Sequence, residues 1–457
     1  MPEPDLLDRT ARIARDYLAG LDERHVGAQA SAAELRSALE MPLPSSGVDP
    51  ETAIEELARA VAAGLVASAG PRYFGFVIGG SVPAALAADW LTSTWDQNTA
   101  LYAAAPAACV AEEVCARWIV ELFGLPERSS VGFVTGGQMG NFTALAAARH
   151  AVLGRVGWDV EQRGLGGAPP IRVLVGEEAH VTVVVALRLL GLGAGSAERV
   201  GADGQGRMRP EALEAALSRS DGPTIVCAQV GNVDTGAIDP VGEIAEIARR
   251  HEAWCHVDGA FGLWAAASPA RREQTAGIER ADSWVADAHK WLNVPYDSSF
   301  AIVRDPEPHR AAMAVTASYL PRSGEERWPA EWVPELSRRA RAFPVYAALR
   351  ALGRDGVAGI VDSCCERAAE IAGILADVPG AEILNEVTLN QVLVRFDDDD
   401  ATTEAVIEAV QDDGVCWVAG TTWRGRRAMR ISIVNWQTSA DDVKRSAASI
   451  AAAARGV

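Results

Sequence analysis

The stretch VGFVTGGQMGNFTALAAAR, residues 131–149, has the pattern of a buried strand, a glycine-rich turn and a helix. The residues before the turn are apolar or small, and those after Asn141 carry apolar side chains at helical spacing. Similar strand–helix units recur downstream. The sequence therefore predicts an α/β fold whose largely parallel sheet is covered by helices on both faces.

Further apolar runs follow this unit, and helical patterns separate most of them. We interpret them as the remaining strands of the sheet: IRVLVGEEAH (171–180), TIVCAQVGN (224–232), AWCHVDGA (253–260), SWVADAHK (283–290) and SFAIVRD (299–305). Residues 306–342, rich in Pro, Arg and Trp, are predicted to form one long irregular loop, and loops of that length are usually functional or disordered.

The 457 residues exceed what one small core accommodates, so several structural units are expected. We divide the chain into an N-terminal helical segment (1–105), a large α/β domain (106–342) and a small C-terminal α+β domain (343–457). The last assignment rests on alternating helical and strand patterns such as LNQVLVRF and TEAVIEAVQDDG.

Bulk composition excludes some classes of partner. The net charge of −19 disfavours nucleic acid and anionic membranes, which need basic surfaces. No apolar run is long enough to predict a membrane span, and the first residues lack a secretory signal pattern. The seven cysteines are irregularly spaced, which favours reduced thiols in a cytoplasmic protein over a disulfide framework.

Lysine is nearly absent from this chain. Of 42 basic residues only Lys290 and Lys444 are lysines, and the rest are arginines. An arginine cannot lose its proton and attack a carbonyl, whereas a lysine amine can form a Schiff base. Lys444 lies in a polar stretch typical of a surface residue. Lys290 has the aromatic and apolar neighbours Trp291 and Leu292, so it is a candidate nucleophile, with a leftover surface lysine as the alternative.

Polar residues follow several predicted strands, and ligands of open α/β sheets bind at those strand ends. The turn containing Gly136 and Gly137 opens a helix, where exposed N–H groups and the helix dipole suit a phosphate. A tight turn without a ligand explains the same pattern equally well. The G-G-x-x-G spacing does not match a dinucleotide fingerprint, and the lysine of a P-loop is absent.

Asp258 ends the strand AWCHVD, and a buried carboxylate is costly unless it is paired. It is either a helix cap or a partner of a ligand that Lys290, 32 residues later, also reaches. His180 is either a surface or capping residue or a group that lies flat on a ring. A phosphate cradle, a buried aspartate and a lysine together suit pyridoxal 5′-phosphate.

The motifs TGGQMGNFTALAAAR, EEAH, HVDGAFG and ADSWVADAHKWLNVPYD, with RYFGF upstream, resemble the group II pyridoxal-phosphate-dependent amino acid decarboxylases. This family includes aromatic-amino-acid and glutamate decarboxylases. The resemblance extends from about residue 70 to about residue 350, and more weakly to the end. It implies the fold-type I architecture of pyridoxal-phosphate-dependent transferases, in which residues 106–342 bind the cofactor.

The resemblance also implies residue roles. Lys290 would form the Schiff base with the cofactor, and Asp258 would pair with the pyridine nitrogen. Ala260 would pack beneath the ring, and His180 would stack on its other face and help orient or protonate the substrate. The phosphate would be held by Gly136, Gly137, Gln138 and His289. The chain departs from the family at Asp287, where asparagine is common.

The implied reaction is decarboxylation of an L-amino acid to its amine and CO₂. The family's usual proton donor is a loop tyrosine, but alignment places Pro329 there, and the nearest tyrosine is Tyr319. Relatives that lack this tyrosine can divert the intermediate toward oxygen and release an aldehyde, so that route is the alternative, with simple decarboxylation kept first. A C–C lyase of the same fold, an aminotransferase and a cofactor-binding scaffold without turnover are further alternatives.

Substrate and partner predictions depend on few residues. Phe76, where aromatic decarboxylases carry an aromatic residue, favours an apolar or aromatic amino acid, although core packing explains it equally well. Gln97 and Asn98 are candidates for the same pocket. Arg430 is either a carboxylate-binding residue or, as we favour, structural. The resemblance further implies a homodimer in which the loop 306–342 reaches toward the partner's site.

Overall fold

The computed structural model describes residues 4–219, 222–314 and 326–457. The N-terminal segment contains four helices: α1 (Pro4–Ala19), α2 (Ala32–Leu39), α3 (Pro50–Val61) and α4 (Pro83–Trp95). Caps explain several of these starts. Ser31 forms a capping box with Glu34, and the Asp49 side chain accepts from the first turn of α3.

The large domain is built on a seven-stranded sheet whose order is β1-β7-β6-β5-β4-β2-β3. Its strands are β1 (Ser130–Val134), β2 (Arg172–Gly176), β3 (Ala197–Val200), β4 (Thr224–Gln229), β5 (Trp254–Asp258), β6 (Ser283–Asp287) and β7 (Ser299–Val303). Only β7 is antiparallel to its neighbours, β1 and β6. The six other strands therefore point the same way, and the predicted largely parallel sheet is confirmed.

Helices cover both faces of this sheet: α5 (Pro106–Leu122), α6 (Gly137–Gly154), α7 (Val160–Arg163), α8 (Val181–Leu189), α9 (Pro210–Leu217), α10 (Val241–Arg250) and α11 (Pro306–Met313). Alternate strand residues face opposite layers, as the pleat requires. In β4, Ile225 and Cys227 pack in the cluster containing residues of α6 and α8, while Val226 and Ala228 pack in the cluster containing residues of α5 and α10.

The C-terminal domain combines a four-stranded antiparallel sheet with three helices. The sheet order is β10-β11-β9-β8, and its strands are β8 (Ala381–Ile383), β9 (Gln391–Phe396), β10 (Ala419–Trp423) and β11 (Arg426–Ser432). The helices are α12 (Ala342–Ala376), α13 (Asp400–Asp413) and α14 (Ala440–Gly456). Gly353, with φ of 61°, interrupts α12 with a kink. The predicted small α+β domain is confirmed in its content.

Other expectations need correction. The prediction of one irregular loop over 306–342 is wrong in its first part, because α11 begins after the capping Asp305 with Pro306 in its first turn. The short strands β3, β8 and β10 were not predicted. The boundaries proposed at residues 105 and 342 lie next to the starts of α5 and α12 and stay predictions. No helix within the described residues is both long and apolar enough to cross a bilayer.

Candidate active site

The polar residues predicted at strand ends meet at one edge of the large sheet. β1 leads into the glycine turn, β5 ends at Asp258, and β6 ends at Asp287 just before Lys290. Because β1, β5 and β6 share one direction, their carboxyl ends lie at the same edge. This edge is where ligands of open α/β sheets bind.

The N-terminus of α6 offers backbone donors to an anion. Gly136 precedes the helix, and within the described residues no side chain caps its first turn. A Cβ placed on Gly137 would lie 3.1 Å from Oδ2 of Asp287 and 3.5 Å from Cβ of Ala260, so glycine keeps this corner open. The Gln138 side chain is exposed. The helix dipole adds partial positive charge here.

Lys290 is paired with a buried carboxylate. Its Nζ lies 3.0 Å from Oδ2 of Asp287, whose side chain is 2% exposed. Burial alone would raise the pKa of Asp287, but the Lys290 ammonium and His289 outweigh it and lower that pKa. His289 lies 3.7 Å from the same carboxylate, and burial lowers the pKa of His289. The amine is thus held at the strand edge beside the α6 N-terminus.

Asn293 fixes the turn that carries Lys290. This fully buried residue adopts φ of 53° and donates from Nδ2 to the carbonyl oxygens of Lys290, Trp291 and Val434. Its Oδ1 accepts from the backbone of Gly80 at 2.9 Å. A Cβ on Gly79 would overlap the Lys290 carbonyl oxygen, so the two segments lie in close contact. The turn that carries Lys290 is therefore hydrogen-bonded to the N-terminal segment at Gly80 and to the C-terminal domain at Val434.

Both oxygens of Asp258 accept hydrogen bonds. Oδ1 accepts from the backbone N–H of Ala260 at 3.2 Å, and Oδ2 accepts from Nδ2 of Asn141 at 3.1 Å. The carbonyl of Ala260 accepts from the backbone N–H of Asp287 at 2.7 Å. Asp258 is 5% exposed, so this carboxylate is buried but satisfied. Ala260 lies between the aspartate and the glycine turn.

His180 caps α8 rather than ending a strand, because β2 stops at Gly176. Its Nδ1 accepts from the hydroxyl of Thr182 at 2.8 Å. Burial lowers the pKa of His180, while the nearby Asp258 carboxylate opposes that shift and the Lys290 ammonium adds to it. The histidine is therefore near both charged groups, as a residue over a shared ligand would be.

Two exposed aromatic side chains, Phe76 and Tyr296, stand on segments that adjoin the lysine turn. Phe76 is 59% exposed and packs on Trp417, with ring centroids 5.4 Å apart. Tyr296, 57% exposed, stacks on His289 at 4.3 Å. Phe76 is therefore not a core residue within this chain, and the core-packing alternative is wrong for it.

The remaining sequence candidates lie elsewhere or have other partners. Gln97 donates to the carbonyl of Trp95, and Asn98 accepts from the backbone of Arg338. Within the described ranges neither side chain hydrogen-bonds to the residues at the strand edge. Pro329 is buried at the start of a single 3₁₀ turn, and Tyr319 lies outside the described residues. Arg430 forms an ion pair with Asp234 at 3.2 Å, and its charge contributes to the lowered pKa of His180. Its position therefore agrees with both a carboxylate-binding and a structural role.

Several residues of the edge escaped the sequence analysis. They are the side chains that fix the others in place: Asn141, Thr182, His256, Ser283 and Asn293. A signal existed for His256, because it lies two residues before Asp258 on one strand and must share its face. The contact between His256 and Asn141, 115 residues apart, required the packed structure.

The arrangement fits pyridoxal phosphate. The uncapped α6 N-terminus with its glycines could hold the phosphate, and the buried Asp258 could accept from a protonated ring nitrogen. Lys290 supplies the amine, and His180 lies close to both charged residues. Asp287 adds an anion near the phosphate corner, but the Lys290 ammonium, 3.0 Å away, compensates its charge.

Comparisons with known proteins agree with this geometry. A model of the pyridoxal-dependent decarboxylase conserved domain matches residues 33–397. An aromatic-L-amino-acid decarboxylase of Bacillus atrophaeus is 26% identical over 445 residues, covering 94% of this chain and 90% of that protein. An L-2,4-diaminobutyrate decarboxylase of Rhizobium meliloti is 29% identical, covering 91% and 84%.

Solved structures share the architecture. The crystal structure described as Oryza sativa TDC with PLP and tryptamine superposes with a TM-score of 0.92 at 23% identity, covering 100% of this chain and 99% of that one. At this identity the likeness concerns the fold. The predicted fold-type I arrangement is confirmed.

Proposed function

Because the chain belongs to the pyridoxal-dependent decarboxylases and is a carboxy-lyase that uses pyridoxal 5′-phosphate, we propose that its substrate is an L-amino acid with an apolar or aromatic side chain. The products are the corresponding amine and CO₂. The relatives act on substrates as different as aromatic amino acids and diaminobutyrate, so substrate choice has to be argued from this chain's own residues.

The observation that carries the proposal is the exposed aromatic ring of Phe76. It stands on the segment that continues to Gly79 and Gly80, which contact the lysine turn. Trp417 supports the ring from behind. An apolar substrate side chain that covers this ring removes apolar surface from water, which is favourable by about 25 cal/mol per Å². A carboxylate side chain loses hydration there without gaining a partner.

Residues on the opposite side of the site from Phe76 would hold the cofactor. Lys290 supplies the amine that retains the cofactor, Asp258 would hold its pyridine nitrogen, and Gly136 and Gly137 its phosphate. When bound, pyridoxal phosphate supplies a ring that accepts the electron pair left by the departing CO₂. The closed edge around Asp258 excludes water from one side. Binding the substrate in one orientation contributes much of the rate acceleration.

His180 is the described residue best placed to orient the substrate or manage a proton. Its Nδ1 is occupied by Thr182, so Nε2 is the atom that can face a substrate. The lowered pKa of this partly buried imidazole keeps it neutral near neutral pH, with one N–H to donate. The Cα that loses CO₂ needs a proton, and a donor held at a fixed position accelerates that step.

The second candidate is release of an aldehyde with uptake of oxygen. The observation that favours it concerns residues 326–341, which contain no tyrosine and in which the aligned Pro329 is buried in a turn. Without a dedicated donor the intermediate lives longer and can meet oxygen. We keep simple decarboxylation first because His180 is in place.

Product analysis separates these possibilities. The purified enzyme is given each common amino acid, with and without oxygen, and products are identified by mass spectrometry. Phenylalanine, tyrosine, tryptophan or leucine should yield amine and CO₂ at equal rates under both atmospheres. Aldehyde formed in step with oxygen consumption would establish the second candidate. Turnover restricted to glutamate, aspartate or diaminobutyrate would contradict the proposed substrate class.

The active form is a homodimer. What supports this is the apolar surface that one chain leaves exposed on α4 and the N-terminal helices, namely Leu7, Leu18, Leu39, Leu57, Trp90, Leu91 and Trp95. Surfaces of this kind mark interfaces. Light scattering after size-exclusion chromatography should give twice the mass of one chain. A monomer with full activity would refute the assembly.

A further inference from the structure

A chain of buried polar side chains lies behind Asp258. Trp254, His256 and Asp258 alternate along β5 and share the face that α6 covers, while Ser283 pairs with His256 across β5 and β6. Ser283 Oγ lies 2.9 Å from both Trp254 Nε1 and His256 Nδ1. His256 Nε2 lies 2.9 Å from Oδ1 of Asn141. We call these five residues and Thr182 the Asn141 network.

The direction of the hydrogen bonds follows from the two ends of the network. The Asp258 carboxylate can only accept, so Asn141 turns Nδ2 toward Asp258 and Oδ1 toward His256. Burial lowers the pKa of His256 to about 4, so the ring is neutral and carries its one hydrogen on Nε2, facing Oδ1 of Asn141. Nδ1 of His256 therefore accepts from the Ser283 hydroxyl, whose oxygen accepts from the indole of Trp254.

A branch of the network ends at the catalytic edge. Nδ2 of Asn141 lies 3.2 Å from Oγ1 of Thr182 as well as 3.1 Å from Asp258. The backbone N–H of Thr182, which can only donate, lies 3.4 Å from Nδ1 of His180, so Nδ1 is an acceptor. The Thr182 hydroxyl accepts from Asn141 and donates its own hydrogen to the same Nδ1 at 2.8 Å. A neutral imidazole whose Nδ1 accepts carries its hydrogen on Nε2. The Asn141 amide therefore donates directly to Asp258 and is connected to His180 through Thr182.

We propose that Asn141 is a positioning residue whose amide, oriented by Trp254, Ser283 and His256, presents a fixed donor to Asp258 and sets the Nε2–H tautomer of His180 through Thr182. The proposal rests on the proposed roles of Asp258 and His180 toward the cofactor. Three of the linking side chains, Asn141, His256 and Ser283, are fully buried, so water cannot replace a lost donor. A reversed amide would set two acceptors against each other at Asp258, and such an unpaired buried group is costly.

The first test uses two variants at Thr182 in the full-length holoenzyme with isotope-labelled histidine. NMR of the imidazole nitrogens should show His180 with its hydrogen on Nε2 in the wild type and in Thr182→Ser, which keeps the hydroxyl. Thr182→Val keeps the shape and removes the hydroxyl, which leaves only the longer 3.4 Å bond from the backbone N–H of Thr182, so a fraction of His180 should carry its hydrogen on Nδ1. A merely structural role for Thr182 would leave the tautomer the same in both variants.

The second test uses Asn141→Asp, which keeps the acceptor for His256 but replaces the donor with a carboxylate oxygen facing Asp258. The dissociation constant for pyridoxal phosphate, measured by equilibrium dialysis of the holoenzyme, should rise about tenfold or more because a bond to a charged group is lost. The His256 tautomer should not change.

Three results would each overturn the proposal: an Nδ1-protonated His180 in the wild type, the same His180 tautomer in Thr182→Ser and Thr182→Val, or unchanged cofactor affinity in Asn141→Asp. A protein that holds no cofactor would contradict the proposed function instead. The His180 tautomer in that protein would still decide the present proposal.

Discussion

The two sides of Lys290 differ in how complete they are within one chain. On the Asp258 side, Asn141 and His256 are fully buried and every link is a hydrogen bond of ordinary length. On the Phe76 side, Phe76 and Tyr296 leave more than half of their surface in contact with water. The contacts on the Asp258 side are complete within one chain, and we call it the finished side. The exposed rings on the Phe76 side, which we call the open side, are available to a substrate or to a second copy of the chain.

The backbone that carries Phe76 is strained. Phe76 and Val77 adopt φ of 52° and 56°, a region that β-branched and bulky residues rarely occupy. Such strain concentrates at functional sites and persists where neighbours hold the chain in place. Here the hydrogen bonds Phe74 N to Trp417 O and Gly80 N to Asn293 Oδ1 hold the segment at both ends. The restrained backbone therefore holds the Phe76 ring in a fixed, exposed position on the open side.

The largest effect is expected from the finished side. Asp258→Ala should lower kcat by about a hundred- to a thousandfold, as loss of a preorganised electrostatic group does. Cofactor should still be trapped on Lys290 by borohydride, because the amine and the phosphate cradle remain. Steady-state kinetics and mass spectrometry measure the two quantities. An Asp258→Ala enzyme with near-normal kcat would remove the ring-nitrogen role from this residue.

A pH experiment compares a histidine of the finished side with one at the surface. The pKa of His256 falls from 6.5 to about 4 in the fold, so between these values the unfolded chain binds more protons and stability falls as pH falls. Replacing it by Gln should reduce the loss of unfolding free energy between about pH 7 and pH 5 by about 2 kcal/mol. Urea unfolding at both pH values measures it.

His150 is the control for that experiment. Its hydrogen bond to Glu161 raises the pKa of His150, so it contributes stability below its usual pKa that is lost as pH rises. His150→Gln should therefore increase the loss between the two pH values. If both substitutions changed the loss in the same direction, the contrast between the buried and the surface histidine would fail.

The smallest effect is expected from the open side. Phe76→Ala should raise KM for an aromatic substrate roughly tenfold, because it removes apolar contact made equally before and during reaction. The kcat should change little, and Phe76→Tyr should behave close to wild type. Initial rates over a range of substrate concentrations provide both constants. A drop in kcat at unchanged KM would place Phe76 in the reaction rather than in binding.

The sequence alone was enough to single out candidate residues that differ from their surroundings in the chain. Lys290 stands out because arginine replaces lysine elsewhere, and Asp258 because it ends an apolar strand; the structure brings both to the predicted edge. The helix α11 was missed because a Pro- and Arg-rich composition outweighed the capping Asp305 in our interpretation. The Asn141 network and the pairing of Arg430 with Asp234 depend on strand order and domain contact, which no local pattern encodes.

Borohydride reduction of the holoenzyme, followed by peptide mass mapping, tests the central claim most directly, because only Lys290, Lys444 and the chain's amino terminus carry amines that can hold the cofactor. The account predicts one reduced adduct, on the peptide containing Lys290, and its loss in Lys290→Ala. An adduct on Lys444 or the amino terminus, or tightly bound cofactor that borohydride fixes to no lysine, would contradict it.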